Sequence, residues 1–293
     1  MTATWTTTLL ELLRRTSCDL PADVEQALRA AQAAETPGSH AADALQAMLE
    51  NAGLARARNA PVCQDTGTVT FLWQVPPGAD TAALARCAAE AVAEATRRGW
   101  LRRNTIDGLT GRSYDDNVAT GAPENHFEQS GRADTIVWLI QKGGGSENMS
   151  RQYSLPDAEL GAARDLGGVR ACVLHAIWSA QGRGCAPGIV GVCIGGDRAG
   201  GFAAAKRQLL RPLAEAAPQP ELAALEKRLL AEANALAVGP MGLGGRTTVL
   251  GVKIAAQPRV PASCFVTVAY MCWACRRRGV RAGADGKAVE WLG

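Results

Sequence analysis

Apolar residues recur along this 293-residue chain with two different periods, and the changes between them mark out its elements. Leu9, Leu10, Leu12 and Leu13 predict a first helix. Pro21, following Asp19, opens a second that runs through Leu28, with proline at the favoured first helical position. The pattern continues over 41–54, and Arg14, Arg15 and Asp23 fall on the solvated side of these helices. Val69, Phe71, Leu72 and Trp73 then predict a strand, and the alanine-rich stretch 81–98 a helix. The polar, glycine-bearing segment 101–123 is the loop best placed to cover a site. The β-branched run 135–140 reads as a strand that ends in Gly143-Gly144-Gly145. Beyond it the spacing predicts a helix over 161–181, a buried strand over 188–194 and a helix over 199–210. Leu222, Leu225, Leu229, Ala233 and Leu236 make one apolar helix face that Gly239-Pro240 terminates, and strands over 247–254 and 263–270 follow. No repeat or low-complexity linker interrupts the series. The expected fold is one α/β domain, a core over 58–293 built on a mixed sheet behind a helical N-terminal layer over 1–57.

At 47% hydrophobic the chain can bury a large core. Its net charge is only +3 and its 31 basic residues are dispersed among 28 acidic ones. With no basic stripe, neither nucleic acid nor an anionic membrane is expected as a partner. Residues 1–13 lack the basic-then-apolar order of a signal peptide, and no run approaches the roughly 18 to 20 apolar residues of a membrane span. A cytoplasmic location is the expectation. Nine cysteines, an odd number, argue against a disulfide framework in such a compartment. Cys272 and Cys275 come closest to a zinc spacing, but they have no second pair and only His40, His126 and His175 to help.

Three glycine-rich loops invite a phosphate-binding reading that the order of elements rejects. Gly245-Arg246-Thr247 imitates the end of a P-loop, yet arginine replaces lysine, and the loop follows a helix and opens a strand, the reverse of what a P-loop does. Gly195-Gly196, with Gly200, does follow a strand and open a helix, which is permissive for an anion. No second strand ending in an acidic residue completes a dinucleotide fingerprint. Gly143-Gly144-Gly145 differs, because residues without Cβ let a carboxylate approach bare backbone amides, although a simple strand-ending turn would look the same. The stretch Pro61-Val62-Cys63-Gln64-Asp65-Thr66-Gly67-Thr68 is equally double-edged: taken alone, Asp65 and Gly67 are turn formers and Cys63 a small buried hydrophobe.

Taken together and in order, that stretch, Lys142-Gly143-Gly144-Gly145-Ser146-Glu147-Asn148, the segment from Gly239-Pro240-Met241-Gly242-Leu243-Gly244-Gly245-Arg246 to Ile254, and Tyr270-Met271-Cys272-Trp273-Ala274-Cys275-Arg276-Arg277 resemble the class I (iron-sulfur) fumarate hydratase family, specifically its alpha subunit, from about Glu25 onward. The L-tartrate dehydratase alpha subunit is the nearest competitor. The resemblance implies a [4Fe-4S] cluster on Cys63, Cys185 and Cys272, three thiolates for four irons, which leaves one iron without a protein ligand. An open iron polarises a C–O bond while a base removes the neighbouring proton, the chemistry of reversible water loss from a hydroxy diacid. It further implies that Gln64 and Asp65 reach the substrate, with Asp65 a candidate acid or base, that Arg102 clamps a carboxylate and that the Gly144 amide takes another carboxylate oxygen. Read without the family, Arg102 beside Arg103 is ordinary surface charge. Cys193, Cys264 and Cys275 lie in apolar contexts and are expected in the core, Trp273 as packing, and His126 and His175 as structural or surface residues.

Two departures from the family pattern carry weight. Members often have a histidine just upstream of the last strand, where this chain has Gln257-Pro258-Arg259-Val260-Pro261, which favours a variant diacid with Arg259 as a substitute. The sequence also stops shortly after Trp291, whereas fused relatives continue into a second domain with further arginines, a lysine and the proposed base. The resemblance therefore implies a separate beta subunit and a dimer of heterodimers. The small dicarboxylate expected is fumarate or malate first, toward which Met271-Cys272-Trp273 leans, and tartrate second. The rival from another class is a non-catalytic relative serving as a binding or scaffold subunit.

Overall fold

The computed structural model describes residues 2–293, which divide into two compact units. One gathers the N-terminal segment through Ala22, Glu50–Gly144 and Ala274–Gly293; the other holds Asp23–Leu49 and Gly145–Trp273. Helices and strands are mixed throughout, as the α/β reading expects, but each unit has its own mixed sheet where the sequence suggested a single one. The helical front end is likewise shared: α1 (Thr2–Cys18) belongs to the first unit, nearly all of α2 (Ala22–Ala34) to the second, and α3 (His40–Arg58) runs across the boundary.

The first unit is built on a five-stranded sheet ordered β2-β1-β3-β8-β9, with β1 at Thr68–Val75, β2 at Glu124–Gln129, β3 at Thr135–Lys142, β8 at Arg276–Ala282 and β9 at Ala288–Leu292. β1 and β2 are parallel, as a crossover through helix α4 (Thr81–Arg97) requires, and the other neighbours are antiparallel. Val69, Phe71, Trp73 and Val75 alternate onto one face with Val137, Leu139, Val280 and Ala282, where Trp5, Leu9, Leu12 and Leu13 of α1 and Ala88, Ala91 and Val92 of α4 cover them. Trp73 anchors this core, stacked on Phe127 with ring centres 5.4 Å apart and edge-on to Trp5 at 5.9 Å. Asp80 caps α4 by accepting from the Ala83 amide.

The second unit has a four-stranded sheet ordered β4-β7-β5-β6, comprising β4 (Arg151–Ser154), β5 (Gly188–Gly195), β6 (Val249–Gln257) and β7 (Phe265–Met271). Val190, Val192, Val252, Ile254, Val266 and Val268 point to one face, against α6 (Leu166–Ala180) and α8 (Pro220–Ala235). α7 (Arg198–Gln208) lies against the other face, and the short α5 (Gly144–Asn148) precedes β4. No helix among the described residues is long and apolar enough to cross a membrane.

Candidate active site

Asn59 ends α3 in the left-handed conformation, and Val62 pins the following turn: its amide donates to the Ser17 carbonyl at 2.9 Å and its carbonyl accepts from Asn51 Nδ2 at 2.8 Å. With Val62 buried, the next residues are turned outward, Cys63 half-buried, Gln64 exposed and Asp65 half-buried. Asp65 organises what surrounds it. Its Oδ1 accepts from the Gly67 amide at 2.9 Å and from Asn104 Nδ2 at 3.3 Å, and its Oδ2 accepts from the Gly144 amide at 2.8 Å. Two glycines make this possible. Gly67 sits at φ +74°, and a Cβ there would stand 2.5 Å from the Lys142 carbonyl carbon; a Cβ at Gly143 would stand 2.8 Å from Asp65 Oδ2.

The loop over 101–123, expected to cover a site, borders a cavity of about 1120 Å³ together with Gln64, Asp65 and Gly144. Arg102 is held by its backbone on both sides: its amide donates to Thr66 Oγ1 at 3.1 Å, and its carbonyl accepts from Asn117 Nδ2 at 2.7 Å. Asn117, buried, also accepts from the Asn104 and Thr105 amides at 2.9 Å and donates to Thr96 Oγ1 at 3.0 Å. The Arg102 guanidinium itself is exposed and has no hydrogen-bond or ion-pair partner among the described residues, whereas Arg103 pairs with Asp115 at 3.1 Å. A planar donor fork on a fixed backbone beside an open cavity suits a carboxylate. The four non-metal positions singled out in the sequence, Gln64, Asp65, Arg102 and Gly144, thus line one cavity. Thr66, Asn104 and Asn117 were not singled out; polar residues in a polar loop carry no periodic signal.

The glycine loops carry carboxylates of the chain's own. Asp65 takes the Gly144 amide, Asp197 Oδ1 caps α7 at the Gly200 amide at 2.6 Å, and Glu35 Oε1 accepts from the Arg246 and Thr247 amides at 2.7 and 3.1 Å. Gly144 therefore does not offer a free amide in this structure, and the other two loops have their donors satisfied without a phosphate. Arg259 is similarly engaged, its Nη1 donating to the carbonyls of Val260, Pro261 and Ser263.

Cys63 belongs to the first unit, and Cys185 and Cys272 to the second. Cys185 follows a 3-10 turn over Gln181–Gly184 in the left-handed conformation, at φ 50°, uncommon for a residue with a side chain. Its carbonyl accepts from the Trp273 amide at 3.2 Å, and the Cys272 amide donates to Ser146 Oγ at 3.1 Å, so hydrogen bonds fix the backbone of both. All three thiols stand in turns at strand ends, Cys63 before β1, Cys185 before β5 and Cys272 directly after β7. Among the described residues no three His, Cys, Asp or Glu side chains are grouped as a single ion would need. Thiolate is the ligand type that iron-sulfur clusters take. The other cysteines behave as hydrophobes: Cys193, Cys264 and Cys275 are buried as expected, and burial pushes the thiols of Cys18 and Cys193 up to about 11 and that of Cys172 up to about 12. His175 is structural, its Nδ1 2.8 Å from the Tyr153 hydroxyl, and His126 is exposed on β2.

A family model described as Fumarate hydratase (Fumerase) matches residues 6–281, so the chain belongs to that family. A Geobacillus stearothermophilus protein provisionally named fumarate hydratase class I is 45% identical over 97% of this chain, which spans 56% of that relative's length. A Methanocaldococcus jannaschii protein provisionally named L(+)-tartrate dehydratase subunit alpha is 34% identical over 95% of the chain and 98% of its own. The L(+)-tartrate dehydratase subunit alpha of Escherichia coli K12 is 30% identical over 92% of the chain and 88% of its own.

Proposed function

We propose that this chain is the alpha-type, cluster-bearing part of an iron-sulfur hydro-lyase that reversibly adds and removes water on a four-carbon dicarboxylate, fumarate and malate in the first place. The observation that carries the reading is the unpartnered Arg102 guanidinium, fixed by its backbone beside Gln64 and Asp65 on a shared cavity that begins one residue after Cys63. Cys63, Cys185 and Cys272 would hold a [4Fe-4S] cluster. When bound, the cluster supplies a Lewis-acidic iron with no thiolate of its own, at which a C–OH bond is polarised.

The chain's own side chains do the rest of what this part contributes. Arg102 clamps one substrate carboxylate through two parallel N–H donors, and the exposed Gln64 amide orients the substrate by donating to and accepting from its oxygens. Asp65 Oδ2 is the atom that holds or releases a proton, and it now shares the Gly144 amide. That N–H can serve Asp65 or a substrate carboxylate, so substrate arrival exchanges one acceptor for the other and frees Oδ2.

Names of two relatives as alpha subunits support a beta-type partner that supplies the remaining active-site groups, in a dimer of heterodimers. They also support the second reading, an L-tartrate dehydratase alpha subunit. Reduced thiols and an oxygen-sensitive cluster suit a cytoplasmic location. A test is turnover by protein purified without air and co-expressed with a beta-type partner, offered fumarate, malate and tartrate in turn. Conversion of fumarate to malate supports the first reading, tartrate dehydration the second. A protein that binds a cluster and turns over none of the three refutes both.

A further inference from the structure

β8 opens with Arg276-Arg277-Arg278 in the interior of the first unit's sheet, and Arg276 is 1% exposed. Its Nε and Nη1 are buried without a hydrogen-bond partner. Its cross-strand neighbour on β3, Gln141, is 0% exposed, and both of its side-chain polar atoms lack a partner too. Buried polar groups in native proteins are nearly always paired, and a buried cation costs several kcal/mol unless a counter-charge compensates it. Val137, Leu139, Val280 and Ala282 share this face, so leucine or methionine would fill the place without that cost. Packing alone therefore does not account for Arg276 at this position.

Arg276 Nη2 lies 3.7 Å from the point that a Cβ on Gly143 would occupy, and Asp65 Oδ2 lies 2.8 Å from that same point. The guanidinium and the carboxylate both border the space that a side chain on Gly143 would fill. We infer that Arg276 is a positioning residue for Asp65: its buried charge draws Oδ2 over Gly143 and holds it on the Gly144 amide, which sets the orientation in which Asp65 and Gly144 meet a substrate. The placement stands on the geometry alone; its kinetic consequence rests on the hydro-lyase reading.

The test compares wild type with Arg276→Met, Arg276→Lys and Gly143→Ala. Gly143 is not in the left-handed region, so the added methyl acts mainly by crowding Asp65 Oδ2 at 2.8 Å, and meets Arg276 Nη2 only at an ordinary contact distance of 3.7 Å. On the chain alone, hydrogen exchange at the Gly144 amide is expected to speed up about tenfold or more in Arg276→Met and Gly143→Ala, and to return most of the way in Arg276→Lys, as expected for loss and recovery of one hydrogen bond. The urea midpoint of Arg276→Met should not fall. In the assembled enzyme, kcat should drop about 100-fold with KM little changed, the cost of a catalytic group misplaced by about 1 Å. Gly144 exchange and kcat that match wild type in Arg276→Met overturn the inference, as does a large loss of urea stability without a change at Gly144, which makes Arg276 a structural residue. Wild-type protein without hydro-lyase activity refutes the functional reading, while the exchange measurement still decides where Arg276 acts.

Discussion

Asn117 Nδ2 donates to the Arg102 carbonyl at 2.7 Å, so a buried amide holds the backbone of an exposed guanidinium. All of Asn117's side-chain capacity is spent on Arg102, Asn104 and Thr105 of the same loop and on Thr96 at the end of α4. Asn117→Leu is expected to destabilise the chain by about 2 kcal/mol, because it strands backbone groups that had a partner. It should also raise KM for the diacid, since Arg102 loses its fixed base. Urea denaturation and steady-state kinetics check the two effects, and a stability loss with an unchanged KM contradicts the positional role.

Arg102 itself should show the opposite balance. Its guanidinium has no partner among the described residues, so Arg102→Gln is expected to change stability by less than about 0.5 kcal/mol. Loss of a charge-assisted carboxylate contact of about 2 kcal/mol should raise KM about thirtyfold. Comparable KM values for the variant and wild type would return Arg102 to ordinary surface charge.

Cys272 and Cys275 stand three residues apart with different expected fates. Cys272→Ala should prevent a stable cluster and abolish activity; Cys275→Ala, which removes a thiol buried in the core, should keep both. Iron content per chain is the readout, and equal losses contradict the ligand assignment.

The alkaline limb of stability carries its own signature. Burial raises the Cys172 thiol to about 12 and the Cys18 and Cys193 thiols to about 11, while in the unfolded chain they ionise near 9. Below pH 9 both states are protonated and the contribution is constant. Above it the unfolded chain releases protons that the native state keeps, so stability falls as pH rises toward 11 to 12. Cys172→Ala should flatten that decline in the unfolding free energy measured between pH 8.5 and 10.5; an unaltered slope contradicts burial as its cause.

What the sequence made legible follows from periodicity. The helices α1 to α4, α7 and α8 and the strands β1, β3, β5, β6 and β7 each bury one face or both, and their apolar spacing gave them away. α6 was placed but begins at Leu166, because Gly161 to Asp165 form the turn and cap ahead of it. β2, with the sequence Glu124-Asn125-His126-Phe127-Glu128-Gln129, is a polar edge strand held by one neighbour, and β4 spans only Arg151–Ser154. β8 is the instructive miss: an interior strand that opens with three arginines contradicts every rule of strand composition, and the conflict falls beside Asp65. Gln64, Asp65, Arg102 and Gly144 are proposed from motif resemblance, not from pattern. Thr66, Asn104 and Asn117 support them from within a loop, where only the folded chain reveals the hydrogen bonds.

The central proposal is that Cys63, Cys185 and Cys272 hold an iron-sulfur cluster. Its most direct test is the iron and sulfide content, with visible absorption, of protein purified without air, wild type beside the three single cysteine-to-alanine variants. About four irons and four sulfides per chain are expected in wild type, lost in each variant. Wild-type protein that stays free of iron after anaerobic reconstitution, alone and with its partner, or variants that keep a full cluster, would contradict it.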